Sequence, residues 1–390
     1  MQFADRLQPL QTNVFADMDM AKANAKAAGQ KLIDLSLGSS DLPTDPLVLE
    51  AIAQSLPDPK THGYLLFSGT QAFRQAIAQW YEKKYGIHLD PETEVLPLIG
   101  SQEGTAHLPL AVLNPGDVAL LQDPGYPSHA GGVYLASGNI YRMPLQEVHQ
   151  FLPQFGAIPA EVLDKARLMV LSYPHNPTTA TASLDFFKDA VTFCQRHDLV
   201  LAHDFPYGDF MFDGTIAPSV LQADPHKSVS IEFFTMSKSY NMGGFRVGYA
   251  IGNAALIRAL RQVKACIDFN QYQGILDGAI AALKSDRTIP ETTVNTFRQR
   301  RDTFVQTLYN MGWHVPTPAA TMYIWAKLPS PWQQNSIQFC TELVQATGVA
   351  ASPGAGFGSS GEGYVRFALV HSPDILATAA TRMAEFIQGH

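Results

Sequence analysis

Short apolar runs recur along the middle of this 390-residue chain, and helix-like segments separate them. The runs are VLPLI (95–99), VALLQ (118–122), LMVLSY (168–173), LVLAHD (199–204) and SIEFFTM (230–236). Continuous apolar runs, as opposed to alternating ones, are typical of strands buried on both faces of a mainly parallel sheet. The pattern therefore predicts a doubly wound α/β domain, in which ligands bind beyond the carboxyl ends of the strands.

The C-terminal third has a different pattern and predicts a second, smaller α+β domain. Residues 284–310 form one long helical pattern that follows a proline start, TMYIWAKLP and YVRFALV look like strands, and residues 373–388 look like a final helix. We expect residues 1–44 to form an N-terminal arm and part of the small domain. Residues 45–283 would form the large ligand-binding domain, and residues 284–390 the small domain with its bridging helix.

Charge and composition exclude some classes of function. The net charge of −8, the pI near 5.8 and the lack of a Lys/Arg-rich run argue against a nucleic-acid surface. The first fifteen residues carry early charges and no apolar core, and no run of about 18 apolar residues exists. We therefore expect no signal peptide, no membrane span and a cytoplasmic location.

The three cysteines, Cys194, Cys266 and Cys340, are widely spaced. This spacing fits neither a disulfide framework nor a zinc site. We expect three buried thiols in a reducing compartment, and no metal.

The first two strand ends carry a possible phosphate site and an aromatic ring. After VLPLI, the sequence GSQEG (100–104) opens a predicted helix, whose free backbone N–H groups and serine hydroxyl suit a phosphate. Ser101 could equally be a helix cap without a ligand. After VALLQ, the turn DPGYP presents Tyr126, on which a flat ligand could stack, although such a tyrosine is often structural.

The next three strand ends carry an amide, an acid and a lysine. Asn176 follows LMVLSY, and Asp204, which is costly to bury unless it has a cationic or N–H partner, ends LVLAHD. A distant arginine could supply that partner. Lys238 follows SIEFFTM, and a lysine at the end of a buried strand would be a usable amine nucleophile. Most lysines lie in water, but the glycine-rich turn that follows, which contains Arg246, favours a functional lysine here.

The string SKSYNMGGFRVGYAIG resembles the lysine segment of the class I/II, fold-type-I aminotransferases, which depend on pyridoxal 5′-phosphate (PLP). The resemblance covers nearly the whole chain, in order. The other segments that carry it are IDLSLGSSDLP, GYLLFSGTQAFRQAIAQWY, GSQEG, DPGYP, YPHNPT, DFPYGDFMFDG and PGAGFGSSGEGYVRFAL. TMYIWAKLP and GEGYVRFAL look most like the subgroup that contains LL-diaminopimelate, alanine and aspartate-type aminotransferases.

The resemblance implies a role for each strand-end residue. Lys238 would hold PLP as a Schiff base and then move a proton at the substrate Cα, acting as nucleophile and general acid/base. Asp204 would pair with the protonated ring nitrogen, while Tyr207 and Asn176 would hydrogen-bond the ring's phenolic oxygen. Tyr126 would stack on one face of the ring.

The resemblance also implies a phosphate site, a carboxylate site and a dimer. The implied cofactor-binding residues at the phosphate end are Ser101, Gln102, Glu103, Ser237 and Arg246. Arg366 would bind the substrate α-carboxylate in bidentate fashion, helped by the Gly38 backbone and by Asn176. Tyr64 would reach the phosphate of a neighbouring subunit, which implies a homodimer with shared active sites.

Some residues depart from the commonest family pattern. They are Gln102, His129, His175, Thr179 and Pro206. None of them changes the expected chemistry, but His129 and His175 could alter how a substrate fits.

The sequence leaves alternatives open on the same scaffold. The leading hypothesis is transamination between an amino acid and a 2-oxo acid such as 2-oxoglutarate or pyruvate, and the alternative is a C–S β-lyase. A PLP-sensing transcription regulator would need a DNA-binding segment before IDLSLG, where only about 30 residues stand. The glycines of PGAGFGSSGEG precede a strand and lack the βαβ setting of a dinucleotide loop. No additional arginine is placed by a motif to bind a second carboxylate, so the donor and acceptor stay open.

Overall fold

The computed structural model describes residues 1, 3–10 and 14–389. In these residues the strands are β1 (Ile33–Asp34), β2 (Val95–Leu98), β3 (Val118–Asp123), β4 (Asn139–Pro144), β5 (Ala166–Leu171), β6 (Val200–Asp204), β7 (Ser230–Thr235), β8 (Gly248–Gly252), β9 (Tyr323–Lys327), β10 (Val349–Ala350), β11 (Ser352–Pro353) and β12 (Tyr364–Ala368).

The α-helices of the same residues are α1 (Val14–Ala27), α2 (Pro46–Ser55), α3 (Gln71–Tyr85), α4 (Ser101–Val112), α5 (Pro127–Leu135), α6 (Ala160–Leu163), α7 (Leu184–Arg196), α8 (Val220–Ala223), α9 (Ala254–Ile267), α10 (Gln273–Leu283), α11 (Thr288–Asn310), α12 (Ser336–Thr347) and α13 (Pro373–Gln388). Short 3₁₀ turns lie at Asp5–Leu10, Pro59–Thr61, Phe67–Thr70, Glu147–His149, Phe155–Ala157, Gly243–Phe245, Gly354–Phe357 and Ser359–Gly361.

Seven strands form one large sheet in the order β2-β8-β7-β6-β5-β3-β4. Strand β8 is antiparallel to both of its neighbours, and the other pairs are parallel. The five apolar runs of the sequence correspond to β2, β3, β5, β6 and β7, so the predicted α/β fold is confirmed. The carboxyl ends of the parallel strands meet at one edge of the sheet, where ligands bind in such folds.

Helices cover both faces of this sheet, because its strands alternate between two apolar cores. On one face, Phe234 of β7 stacks on Tyr249 of β8 at 5.3 Å and meets Trp80 of α3. On the other face α4 lies very close to the sheet, since a Cβ at Gly104 would come within 2.6 Å of the Phe233 ring. This close approach brings the first turn of α4 to the edge where the parallel strands end.

A second apolar core joins both ends of the chain. Helices α1, α11, α12 and α13 pack with the three-stranded antiparallel sheet β11-β12-β9. Strand β1 pairs in parallel with β10, with Ile33 opposite Val349. The long helical pattern at 284–310 corresponds to α11. The proposed domain boundaries at residues 44 and 283 stay a prediction.

The cysteines are free; Cys194 and Cys340 are buried, but Cys266 on α9 is exposed, so the expectation of three buried thiols is wrong for that residue. Within the described ranges, no helix has both the length and the apolar character that crossing a membrane requires.

Candidate active site

A cavity of about 390 Å³ lies at the carboxyl edge of the large sheet and is closed on one side by residues of the second core. Most of the residues that the family resemblance suggested line it. They are Gly38, Ser101, Gln102, Tyr126, Asn176, Asp204, Tyr207, Ser237, Lys238, Arg246 and Arg366.

Lys238 stands in the loop that joins β7 to β8, and its amine faces the cavity. Its Nζ donates to the Gly38 carbonyl at 2.5 Å and lies 5.8 Å from the centre of the Tyr207 ring. The loop is closed by backbone bonds from Met236 N to Val247 O and from Met242 N to Met236 O, both 3.1 Å. No carboxylate of the described residues forms an ion pair with the Lys238 amine, which leaves it available for chemistry.

Asp204, the last residue of β6, is buried at the bottom of the cavity. Its Oδ2 hydrogen-bonds His129 Nε2 of α5 at 2.9 Å. Its Oδ1 is buried and has no hydrogen-bond partner among the described residues. A buried carboxylate oxygen without a partner is costly, so this atom fits a ligand that brings an N–H donor.

A second histidine, His175, lies near His129 and is fully buried. Its Nδ1 contacts the Thr178 hydroxyl at 2.7 Å. Burial, reinforced by the charge of His129, lowers the pKa of His175 to about 3. The His175 ring is therefore neutral at physiological pH, which fits a residue that shapes the loop before Asn176.

Tyr207 and Tyr323 meet above the lysine, hydroxyl to hydroxyl, at 2.8 Å. Burial, together with Tyr323, raises the pKa of Tyr207. Burial alone would also raise the pKa of Tyr323, but the charges of Lys238 and Arg366 outweigh it and lower that pKa. A Cβ at Gly38 would overlap the Tyr323 hydroxyl, so this position requires glycine.

Arg366 projects from β12 into the cavity and is almost entirely buried. Its two terminal nitrogens donate to Asn176 Oδ1 at 2.8 Å and to the Ser36 carbonyl at 2.7 Å. Its guanidinium carbon lies 4.3 Å from the centre of the Tyr323 ring and 4.6 Å from the centre of the Phe357 ring. The guanidinium is thus held as a flat fork, the geometry that binds a carboxylate.

The start of α4 and the turn after Lys238 meet at the other end of the cavity. Gly100 has φ 79°, and a Cβ there would lie 2.6 Å from Arg246 Nη2. A Cβ at Gly248 would likewise lie 2.9 Å from the Ser101 amide nitrogen. The Ser237 hydroxyl contacts the Thr235 hydroxyl at 2.9 Å. A helix start, hydroxyl groups and a guanidinium together are suited to a phosphate.

Two predicted cofactor residues do not line this cavity. The carboxylate of Glu103 turns away to Lys264 of α9, at 2.9 and 3.1 Å, and accepts from the backbone N–H of Ile99. Burial raises the pKa of Glu103 to about 7, although Lys264 favours the charged form. Tyr64 is 94% exposed and lies outside the cavity of its own chain.

A buried ion pair connects the Tyr207 segment to the Lys238 segment. Asp209 binds the Lys84 amine at 2.6 Å and the Ser239 hydroxyl at 2.7 Å. Burial lowers the pKa of Lys84, whereas the pKa of Asp209 falls because the contact with Lys84 outweighs burial. These bonds hold two cavity-lining loops at a constant separation.

Several cavity residues were not assigned from the sequence. They are Ser36, Leu37, Pro127, Ser172, Thr235, Tyr323 and Phe357. Tyr323 and Phe357 lie within the strings TMYIWAKLP and PGAGFG, but nothing in those strings distinguishes a residue that faces the site from one in the core.

The model of the family "Aminotransferase class I and II" matches residues 30–383 of the chain. This chain belongs to that family. A relative from Dehalococcoides mccartyi named LL-diaminopimelate aminotransferase is 42% identical over 386 residues, 99% of each chain. A protein of the same name from Moorella thermoacetica is 41% identical over 383 residues, 98% of each chain.

Solved structures show the same relationship. A probable N-succinyldiaminopimelate aminotransferase from Thermus thermophilus is 42% identical, with a TM-score of 0.91 over 95% of this chain and 99% of that chain. Substrate-bound BacF from Bacillus subtilis is 34% identical, with a TM-score of 0.94 over 99% and 98%. The protein is therefore a PLP-dependent aminotransferase that acts on amino acids and 2-oxo acids, and the comparisons do not favour the C–S lyase.

Proposed function

We propose that this aminotransferase takes its amino group from LL-diaminopimelate and passes it to a 2-oxo acid. Full-length similarity to relatives that bear this substrate in their names, at 41–42% identity, carries the proposal. The α-carboxylate end of the substrate has a binding group in the chain itself, because Arg366 faces the cavity with a planar guanidinium.

The cavity residues fit PLP. The partnerless Oδ1 of Asp204 suits the ring nitrogen, which brings an N–H. The amine of Lys238, which donates to the Gly38 carbonyl and not to a carboxylate of the described residues, suits the covalent bond. Ser101 and Ser237, with Arg246, suit the phosphate, and Gln102 stands beside them. When bound, PLP supplies a ring that withdraws the electrons left on the substrate Cα after a proton is removed.

Each part of the reaction is assigned to particular residues of this chain. Lys238 would bond to the cofactor and afterwards move the proton at the substrate Cα. Asp204 would hold the proton on the ring nitrogen, and His129 would orient the Asp204 carboxylate through its 2.9 Å bond. Tyr207 would donate to the ring's phenolic oxygen.

Two further groups hold the ligands in place. Tyr126 lies beside His129, with ring centres 5.6 Å apart in an edge-to-face arrangement, and it lines the cavity, where it would stack on the cofactor ring. Asn176 accepts a hydrogen bond from Arg366, and it would contact the ring oxygen and the carboxylate. Glu103 serves the cofactor indirectly in this proposal, because its bonds to Lys264 tie the first turn of α4 to α9.

We also propose a homodimer with shared active sites, in the cytoplasm. An almost fully exposed tyrosine, Tyr64, and the cavity residue Leu37, which is 61% exposed, support a second chain at the mouth of the cavity. Tyr64 would complete the phosphate site of the partner.

The substrate is tested with a panel of amino donors, each followed by the spectral change from the pyridoxal to the pyridoxamine form. LL-diaminopimelate should react with the highest kcat/KM, and return of the absorbance should require a 2-oxo acid. A higher kcat/KM for N-succinyl-diaminopimelate, alanine or aspartate would refute the assignment, and release of ammonia and pyruvate from cysteine conjugates would indicate a lyase.

The dimer is tested by mixing two variants, Tyr64→Phe and Lys238→Ala, with different affinity tags. In the mixed dimer, the site with an intact Lys238 receives its tyrosine from the Lys238→Ala chain. Its PLP affinity should therefore return to the wild-type value. An affinity as weak as that of the Tyr64→Phe homodimer would mean that Tyr64 acts within its own chain.

A further inference from the structure

Tyr323 lines the cavity, contacts both Tyr207 and Arg366, and has no assigned role. It is the first residue of β9, and it is buried between the loop that carries Lys238 and strand β12, which carries Arg366. Its ring and its hydroxyl contact different partners, so the two parts of one side chain can be tested separately.

The ring of Tyr323 forms one wall of the slot that holds Arg366. The guanidinium carbon lies 4.3 Å from the centre of this ring and 4.6 Å from the centre of the Phe357 ring. A guanidinium that lies over aromatic rings is attracted by them, and this attraction restricts its orientation. The ring of Tyr323 therefore determines the plane in which Arg366 presents its fork.

The hydroxyl of Tyr323 is the one hydrogen-bond partner of the Tyr207 hydroxyl in the described part of the chain. Tyr207 is buried, and its single proton can point to only one acceptor at a time. When Tyr323 donates to the Tyr207 oxygen, the Tyr207 proton is directed into the cavity. A donor that itself accepts a hydrogen bond is polarised and donates more strongly.

We propose that Tyr323 is a positioning residue with two separable effects: its ring orients Arg366 for the α-carboxylate, and its hydroxyl orients the Tyr207 proton. The inference rests on the roles proposed above for Arg366 and Tyr207.

Two substitutions separate the effects. Tyr323→Phe removes the hydroxyl and keeps the ring against Arg366. Tyr323→Leu removes both the ring and the hydroxyl. If the Tyr323→Leu variant does not fold, Tyr323→Met is used in its place. Tyr309→Phe and Tyr309→Leu are matched controls, because Tyr309 lies at the end of α11 with 56% of its surface exposed.

Two measurements on the PLP-loaded protein report the two effects separately, and neither of them depends on turnover. Calorimetric titration with 2-oxoglutarate, which has an α-carboxylate and no amine to donate, reports the Arg366 site as a Kd. A pH titration of the visible absorbance reports proton uptake at the cofactor bonded to Lys238, and its midpoint depends on how well Tyr207 stabilises the ring oxygen.

For Tyr323→Phe we expect a Kd within about twofold of the wild type and an absorbance midpoint higher by about half a unit to one unit, the effect of one hydrogen bond. For Tyr323→Leu we expect the same rise in the midpoint and a Kd about tenfold weaker, since one face of the guanidinium is uncovered. Phe357→Leu should weaken the Kd similarly and leave the midpoint unchanged. The Tyr309 variants should change neither.

An unchanged midpoint in Tyr323→Phe would overturn the effect of the hydroxyl. An unchanged Kd in Tyr323→Leu would overturn the effect of the ring, provided that Arg366→Lys weakens 2-oxoglutarate binding. If Arg366→Lys also binds 2-oxoglutarate normally, the carboxylate site itself is elsewhere, and the failure belongs to the proposed function.

Discussion

Asp204→Asn separates the chemistry of the site from the stability of the fold. Asp204 is 5% exposed, with one oxygen bonded to His129 and the other without a partner in the described part of the chain. The asparagine oxygen can keep the bond to His129. We therefore expect the free energy of unfolding of the PLP-free protein to change by about 1 kcal/mol or less.

The loss of activity should be much larger, because a neutral amide does not hold a proton on the ring nitrogen. Removing a buried group that stabilises charge in the transition state costs about 10² or more in rate. A 100-fold loss of kcat/KM corresponds to about 2.7 kcal/mol, close to the upper value for one hydrogen bond between charged groups. The assay is the rate at which a donor converts the bound pyridoxal form to the pyridoxamine form.

Asp224→Asn is the matched control, since Asp224 is also buried but lies outside the cavity. Its carboxylate accepts bonds of 2.9–3.1 Å from Ser228, Val229 and Ser230, so the amide should destabilise the fold by about 1–3 kcal/mol and leave the rate per folded molecule normal. A near-normal rate for Asp204→Asn would remove Asp204 from its role. An equal loss of rate in both variants would show that the fold, and not the ring nitrogen, is being measured.

Three other predictions follow from the same site. Lys238→Ala should abolish turnover, and borohydride treatment of the wild type should place the cofactor label on Lys238; a label elsewhere would refute the assignment. Arg366→Lys should raise KM about tenfold or more for every donor and leave PLP affinity unchanged, because a point charge does not replace a two-pronged fork; an unchanged KM would mean that another residue binds the carboxylate. Burial lowers the pKa of His175 to about 3 from an unfolded value of 6.5. As the pH is lowered, the unfolded chain therefore takes up a proton before the folded chain does, and the free energy of unfolding decreases at pH values below about 6.5. Between pH 7.5 and 5, the free energy of unfolding, measured by chemical unfolding, should fall by about 2 kcal/mol less for His175→Asn than for the wild type. Equal decreases would contradict a neutral buried ring.

Most strands that could be predicted from the sequence are those in which nearly every residue is buried. β3 and β7 are buried along their whole length, and a continuous apolar run is the direct result. β4 was missed because it lies at the sheet edge and mixes exposed and buried positions. β8 is buried along its whole length, but it was missed because the glycines at its two ends leave only a short apolar stretch between them.

Residues that line the cavity could be predicted where a motif places them after a strand, as for Asp204 and Lys238. Glu103 shows the limit of that reasoning. It lies in the same motif as Ser101, but residues two apart on a helix point in different directions, so its side chain reaches Lys264 and not the cavity. Tyr323 shows another limit, because strand β9 brings it to the site from a distant part of the chain.

The single antiparallel strand of the large sheet, β8, restricts where the loops of this enzyme can change in length. Because β8 runs against β7, the chain that leaves the sheet after Thr235 returns at Gly248 on the same edge. One loop thus carries Lys238 near its start and Arg246 near its end. In the roles proposed above, the length of this loop would set the distance between the covalent attachment and the phosphate group. Insertions here would misplace one attachment relative to the other, whereas the loops that carry Asn176 and Tyr207 would each supply contacts at one end of the cofactor only. Natural or engineered variation in length should therefore be rare between residues 236 and 247 and concentrate in loops away from this edge.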